Sequence, residues 1–128
     1  MSHPPGPSEP LHIHVDLPRE HPDGGRGGAV ATVVRVGGEI DLATVPALQE
    51  RLHTLIAGGH HALVLDLTQV TFCDVPGLNA LLRAETHARS HGGRLQIRGP
   101  CPPLDIMLTA LDLHDRLYGP DGQGGVTN

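Results

Sequence analysis

Glu39 and Asp41 are the nearest approach in this sequence to a pair of catalytic carboxylates. General acid–base catalysis needs both groups to converge on one substrate atom, and nothing in the sequence indicates such convergence. The sequence also lacks a Gly-x-Ser-x-Gly nucleophile motif, a phosphate-binding glycine loop ending in Lys-Ser or Lys-Thr, and a Gly-x-Gly-x-x-Gly motif after a strand. We therefore predict no catalytic residues and no cofactor, and we do not expect an enzyme.

Ten histidines raise the question of a metal site. His87 and His91 are one helical turn apart, a spacing that can bind one ion. His12 and His14 share the polar face of a strand, and His60-His61 fall in a loop. Because the spacing fixes no cysteine or acidic third ligand, we interpret the histidines as polar surface residues and predict no metal site.

The two cysteines, Cys73 and Cys101, carry no Cys-x-x-Cys spacing. In a reducing compartment this predicts two free thiols. Cys73 ends the apolar run Val70-Thr71-Phe72-Cys73, which indicates a small core residue in preference to a reactive nucleophile.

Two carboxylates, one of them already named, lie where a strand leads into a helix. Asp41 belongs to the segment Gly-Glu-Ile-Asp-Leu-Ala-Thr over residues 38–44, and Asp74 to the segment that runs from the strand at 64–67 into the helix beginning near Leu78. Ligands and partners tend to bind at this end of an α/β sheet. Turn formation or helix capping is the structural alternative for each carboxylate, and the residues alone leave both roles open.

Hydrophobic periodicity supplies the elements that position these carboxylates. Strict alternation predicts a strand over residues 11–17, and β-branched residues predict a second over 29–36, ended by Gly37-Gly38. Leu48, Leu52, Leu55 and Ile56 form one apolar helical face over residues 46–57, with Thr44 in the cap region. The remaining predictions are strands at 62–67 and 94–98, a helix from Leu78 to Gly92-Gly93, and a short helix at 104–111. The order β-β-α-β-α-β-α predicts an α/β fold, a mixed sheet of four to five strands joined by right-handed crossovers.

Length, composition and charge narrow the function class. The 128 residues allow one core, and no apolar run approaches the roughly 20 residues that span a bilayer. The formal net charge is −5, which argues against nucleic acid and anionic membranes as partners. Residues 1–10 have neither a basic nor an apolar segment, so we expect no secretory signal and a cytoplasmic location.

In the two junction segments the sequence resembles the STAS domain of bacterial anti-sigma factor antagonists. Gly-Glu-Ile-Asp-Leu-Ala-Thr with Pro46-Ala47-Leu48 is one match, and the run Leu-Asp-Leu-x-x-Val-Thr-Phe-x-Asp-x-x-Gly-Leu over residues 65–78 is the other. The resemblance covers residues 11–118, which we take as one STAS domain. Pro-rich residues 1–10 and Gly-rich residues 119–128 are predicted to be disordered tails.

The resemblance implies a binding protein with a phosphorylation switch. Family members bind an anti-sigma factor, commonly a serine kinase of the histidine-kinase-like ATPase type, and so free a sigma factor. The kinase phosphorylates a Ser or Thr at the start of the second helix, which adds about −2 charge and breaks the complex. Here the acceptor position falls on Pro76, preceded by Val75, so the switch cannot operate there. Thr68 and Thr71 are nearby hydroxyls that could substitute as acceptors.

Carried over by position, the resemblance implies a partner-binding surface at the two junctions. Asp74 would orient the turn, Gly77 would allow close approach of the partner, and Leu78 would begin the core face of the helix. The surface as a whole comprises Asp41, Thr44, Asp74, Val75, Pro76, Gly77 and Asn79.

Three other interpretations stay open at this stage. The chain could be a STAS scaffold or a subunit of a larger stress-signalling or lipid-transport assembly, or it could be a nucleotide-binding domain. The sequence does not fix the oligomeric state, so a homo-oligomer is also open.

Overall fold

The computed structural model describes residues 11–16 and 31–118. Both predicted tails and the predicted loop at 18–28 lie outside these residues. The described elements are β1 (His12–Asp16), β2 (Thr32–Ile40), α1 (Val45–Ala57), β3 (Ala62–Cys73), α2 (Val75–Ser90), β4 (Arg94–Arg98), α3 (Pro102–Ala110) and α4 (His114–Tyr118).

The described strands form one mixed sheet in the order β1-β2-β3-β4. β1 pairs antiparallel with β2, while β2, β3 and β4 run parallel, so the latter three end at the same edge of the sheet. Leu63, Leu65 and Leu67 of β3 are buried in the core. The opposite face of the sheet carries polar residues: Arg35 of β2 is paired with Asp66 of β3, which is paired with Arg98 of β4. The predicted α/β class and element order are confirmed, with α4 added at the end.

The apolar face predicted for α1 is also confirmed, because Leu48, Leu52, Leu55 and Ile56 are all buried. α1 packs beside α2. Within the described residues, no helix has the length and apolar character needed to cross a membrane.

Two predicted strand ends were wrong. β2 continues through Gly37-Gly38 to Ile40, and β3 continues past Leu67 to Cys73. The pairing of β2 with β3 extends to Ile40 opposite Cys73, with register shifts on either side of Gly37-Gly38. The glycines therefore form irregularities inside a paired strand, where Gly38 adopts a φ of 97°, and do not end it.

Three helix boundaries also differ from the prediction. α2 begins at Val75, three residues before Leu78, because the cap is Asp74. α3 begins at Pro102 and ends at Ala110. No helix was predicted at α4, which is too short for a helical period to be read from its sequence, although its Leu117 is fully buried in the core.

A buried carboxylate holds α4 against α2. Glu85 is only 6% exposed, and its Oε1 accepts a hydrogen bond from Arg116 Nε at 3.0 Å. Its Oε2 lies 3.0 Å from Arg89 Nε, and Arg116 Nη2 donates to Thr86 Oγ1 at 2.7 Å. Glu85 thus joins one arginine of its own helix to one of α4.

Replacing Glu85→Ala should lower the free energy of unfolding by about 1–3 kcal/mol, because two arginines lose their shared acceptor at a buried position. Urea unfolding would measure the loss. Glu50→Ala, on the exposed side of α1, is the matched control and should change it by less than about 0.5 kcal/mol. Equal losses of unfolding free energy in the two variants would show that Glu85 does not stabilise the packing of α4 against α2.

Three histidine rings line the contact between α1 and α2. The ring centroid of His87 lies 4.3 Å from that of His53 and 4.4 Å from that of His91. Desolvation, followed by repulsion from His53 and His91, lowers the pKa of His87 from its ordinary value of 6.5. In the described part of the chain, no three His, Cys, Asp or Glu side chains are arranged to hold a metal ion.

Acidification should therefore destabilise the fold in part through His87. Because its pKa is lower in the folded chain, the unfolded chain binds more protons, and stability falls as the pH drops below about 6.5. Thermal melting at pH 7.5 and pH 5.5 should show a smaller acid-induced loss in His87→Gln than in the wild type. His12→Gln, at an exposed position of β1, should retain the full loss. If His87→Gln lost as much stability on acidification as the wild type, His87 would not contribute to the pH dependence.

Candidate functional site

The two strand-to-helix junctions lie side by side at one edge of the sheet. Ile40 at the end of β2 pairs with Cys73 at the end of β3, and the backbone N–H of Asp74 donates to the carbonyl oxygen of Ile40 at 3.3 Å. The β2–α1 turn and the first turn of α2 therefore form one continuous surface, which we call the junction surface (residues 39–45 and 71–79).

Asp41 and Thr44 shape the β2–α1 turn. Asp41 Oδ1 accepts hydrogen bonds from the backbone N–H groups of Ala43 at 3.0 Å and Thr44 at 3.1 Å. Thr44 is the N-cap residue of α1 by position, but its hydroxyl makes no cap hydrogen bond and donates instead to the carbonyl oxygen of Glu39 at 2.8 Å. Both side chains thus tie the turn to the end of β2.

Asp74 caps α2. Its backbone is extended, with φ −104° and ψ −172°, and its Oδ1 accepts a hydrogen bond from Gly77 N–H at 3.0 Å. Val75 and Pro76 occupy the first two helical positions, where a proline needs no N–H donor and its fixed φ suits the helix. Leu78 is 3% exposed and begins the core face of the helix, as the resemblance implied.

Gly77, which the resemblance implied would allow close approach of the partner, makes a close contact within the chain. It is buried, and a Cβ added to it would lie 2.7 Å from the carbonyl oxygen of Ile40 and 2.8 Å from Cys73 Sγ. Glycine is needed here because the backbone of α2 approaches its own sheet too closely for a side chain. The close approach is therefore made within the chain.

Cys73 is a core residue, as its apolar run predicted. It is 1% exposed, and burial, followed by the effects of Cys101 and Asp74, raises the pKa of its thiol to about 12. The thiol is therefore protonated at neutral pH and is a poor nucleophile. Both cysteines are free.

The outer part of the junction surface is apolar. Leu42 is 73% exposed and Val75 is 58% exposed, while Pro76 is half-buried. Leu42 was not among the predicted site residues. Its position as an apolar residue in the turn between a strand and a helix could have indicated it. Asn79, which was predicted, lies one turn further along α2 in a groove formed with Leu82, Arg83, Thr86 and Arg116.

Two hydroxyls considered as alternative phosphate acceptors lie on β3. Thr68 Oγ1 donates to Asp66 Oδ1 at 2.8 Å, and Thr71 Oγ1 donates to the carbonyl oxygen of Gly38 at 3.4 Å. Both threonine residues are exposed to solvent, but neither lies on the first turn of α2.

Comparison with known proteins gives consistent matches. The family described as "Mlab, STAS domain" matches residues 26–119. Anti-sigma-F factor antagonist RsfB of Mycobacterium tuberculosis (strain H37Rv) is 36% identical over 99 residues, covering 70% of this chain and 81% of that protein. The crystal structure of an anti-sigma factor antagonist from Mycobacterium paratuberculosis is 34% identical, with a TM-score of 0.58 over 80% of both chains. The anti-sigma factor antagonist SpoIIAA in its unphosphorylated form shares the fold at 19% identity, with a TM-score of 0.63 over 80% of this chain and 83% of that one.

The packing at Gly77 can be tested by adding a single methyl group. Gly77→Ala should lower the free energy of unfolding by about 1–3 kcal/mol, because the backbone of Ile40 cannot move aside as a flexible side chain would. Gly58→Ala is the matched control: the nearest atom to its Cβ would lie at 3.3 Å, and its φ of −83° is ordinary. A chemical unfolding midpoint in Gly77→Ala equal to that of Gly58→Ala would show that α2 does not need the glycine.

Proposed function

Because the chain belongs to the STAS domain family, we propose that it is an anti-sigma factor antagonist: it binds an anti-sigma factor and so releases a sigma factor for transcription. The partner we propose is a serine kinase of the histidine-kinase-like ATPase type. The names of the relatives support the general function, and we assign the binding to the junction surface as part of this proposal. A binding role also accords with the site, since Asp41, Thr44 and Asp74 hydrogen-bond to the backbone of their own turns, while Leu42 and Val75 are exposed.

The observation that carries the proposal is the joining of both family motifs into one surface. Asp41 and Asp74 come from segments more than 30 residues apart, yet the Ile40–Cys73 pairing brings their turns together. Because strands β2 and β3 form the centre of the sheet, this surface rests on a rigid base, and little ordering is required when a partner docks.

We further propose that this antagonist works without a phosphorylation switch at the start of α2. Val75 and Pro76 hold the first two helical positions and have no hydroxyl group to accept phosphate. Thr44, the hydroxyl in the neighbouring turn, donates to the carbonyl oxygen of Glu39, and a phosphate there would break the turn. The antagonist would then be controlled by its amount in the cell.

A nucleotide-binding role gains no support at this helix N-terminus. Anions bind there through unused backbone N–H groups. Pro76 has no N–H, and the N–H of Gly77 donates to Asp74 Oδ1. Both features reduce the donors that a phosphate group would need.

The proposal is tested by calorimetric titration of the purified chain against each purified anti-sigma factor of the source organism. We expect one of them to bind with a Kd below about 1 μM, and Asp41→Lys to weaken that binding at least tenfold by reversing the charge on the surface. Asp41→Asn retains the Oδ1 that organises the turn, so it separates loss of charge from loss of the turn. Absence of binding to every anti-sigma factor would refute the function.

Restoring a hydroxyl tests the missing switch. With the partner kinase and ATP, the wild type should take up no phosphate and stay bound, whereas Pro76→Ser should be phosphorylated and released. Pro103→Ser, at the equivalent position of α3, is the matched control for removing a proline from a first helical turn. Phosphate on Thr68 or Thr71 of the wild type, found by mass spectrometry together with release, would overturn the switch-free proposal.

A further inference from the structure

Four arginines lie around the contact between α2 and α4. Arg83 and Arg89 belong to α2, Arg94 begins β4, and Arg116 belongs to α4. Two grooves share Arg116 as a wall: Arg83 lines one of them, and Arg89 and Arg94 line the other. The four side chains therefore border one surface, which we call the arginine groove (Arg83, Arg89, Arg94 and Arg116).

Positive charge is in excess in the arginine groove, although the whole chain has a formal net charge of −5. Glu85 and Asp115 are the carboxylates that line it, so four guanidinium groups face two carboxylates. By contrast, two arginines on the polar face of the sheet have one carboxylate each: Arg35 pairs with Asp16 and Arg98 with Asp66. The surplus of positive charge distinguishes the groove from that face.

Two of the four guanidinium groups are held in place by the chain itself. Arg116 donates from Nε to Glu85 Oε1 at 3.0 Å and from Nη2 to Thr86 Oγ1 at 2.7 Å, and Arg89 Nε lies 3.0 Å from Glu85 Oε2. Because a guanidinium has five N–H donors, these contacts leave Arg116 with donors for a ligand. Because Glu85 is buried, both groups are oriented before a ligand arrives, which lowers the ordering cost of binding.

The other two guanidinium groups are uncommitted. Arg83 and Arg94 are exposed, and within residues 11–16 and 31–118 neither side chain makes a hydrogen bond or an ion pair. An arginine can bind a carboxylate through two parallel hydrogen bonds, which fix the orientation of the bound group. The groove thus combines two oriented cations with two that are available.

The spacing of the charges decides which kind of anion fits. Arg83 and Arg89 are six residues apart on α2, which is about 9 Å along the helix axis, and Arg94 and Arg116 extend the surface onto two other elements. A single phosphate or carboxylate is too small to reach all four, so the ligand needs several separated negative groups. On an extended peptide, alternate side chains point to one side at intervals of about 7 Å. Nucleic acid carries a phosphate about every 3.4 Å of each strand, and the negative charge of the chain would repel it.

We propose that the arginine groove binds an acidic segment of a partner protein, whose carboxylates in extended conformation pair with Arg83, Arg116 and Arg94 in turn. The aliphatic stems of the arginines and the half-buried Leu82 provide apolar contact between the charged positions. Asp41 and the other polar groups of the β2–α1 turn take no part. The inference is therefore independent of the proposed function.

The test is fluorescence anisotropy with a labelled hexaglutamate peptide at low salt. The wild type should bind it saturably and should not bind hexaglutamine. Arg83→Gln and Arg94→Gln should each raise the Kd about threefold or more, whereas Arg51→Gln and Arg35→Gln, which remove the same charge elsewhere, should change it by less than about 1.5-fold. Because Arg83 and Arg94 have no partner within the described residues, their variants should melt at the wild-type temperature. Absence of saturable binding, or equal losses in all four variants, would overturn the proposal.

NMR locates the bound peptide directly. On addition of hexaglutamate, the Nε–Hε signals of the four arginines of the groove should shift, and those of Arg35 and Arg51 should stay in place. Shifts centred on Arg35 or Arg51 would contradict the assigned groove.

Other occupants have distinct outcomes. Tighter binding of a thymidine oligonucleotide of equal charge would assign the groove to nucleic acid, and a dimer in sedimentation that dissociates in Arg83→Gln would assign it to a second copy. Either result would overturn the proposed occupant. Asp41→Lys should lose the anti-sigma factor but keep its hexaglutamate Kd within about twofold, because the two surfaces are separate. If no anti-sigma factor binds, the proposed function fails, and the peptide titration still decides on the groove.

Discussion

The contact between the first turn of α2 and the end of β2 determines how the junction surface is built. The backbone at Gly77 lies against Ile40 and Cys73, and the Asp74 N–H donates to the carbonyl oxygen of Ile40. Two residues 37 positions apart in sequence, Ile40 and Gly77, are thereby brought into contact. Since the β2–β3 ladder lies below this point, the positions of Asp41, Leu42 and Val75 follow from backbone pairing and are not set by flexible side chains.

The same contact bears on the two roles considered for the carboxylates, turn formation and partner binding. Turn formation and capping describe Asp41 and Asp74 correctly, as their hydrogen bonds to Ala43, Thr44 and Gly77 demonstrate. A side chain that fixes the shape of a turn also fixes what the turn presents to a partner. The two roles weighed from the sequence are therefore compatible, and a substitution that removes the acceptor oxygen changes both the turn and the surface.

Local patterns were sufficient for much of the fold. The apolar face of α1 follows from the spacing of Leu48 and Leu52, and Asp74 before Val75-Pro76 is a recognisable helix start. The errors arose where tertiary contacts override local preference. Two consecutive glycines such as Gly37-Gly38 usually end a strand, yet β2 continues past them because it pairs with β3 on both sides. The short helix α4 depends on Leu117 in the core and on the Glu85–Arg116 pair, neither of which a local pattern contains. At the candidate site, the sequence predicted that Asp41 and Asp74 lie at strand-to-helix junctions, with turn formation and capping as structural roles. It did not predict the hydrogen bond from the Asp74 N–H to Ile40, because a contact between distant segments leaves no local signal.

In the proposed antagonist, a proline at the second position of α2 would change how the surface is controlled. A phosphorylated hydroxyl would couple the occupancy of the surface to kinase activity, whereas Val75 and Pro76 have fixed chemistry. Without such a switch, occupancy would depend only on the concentrations of the two proteins relative to the Kd, so a tenfold change in expression would have the same effect as about 1.4 kcal/mol of binding free energy. Since proline suits the first turn of a helix and Asp74 still caps it, this change costs the fold little. The apolar character of the turn is thus compatible with a stable helix start and with a surface that stays available whenever the chain is present.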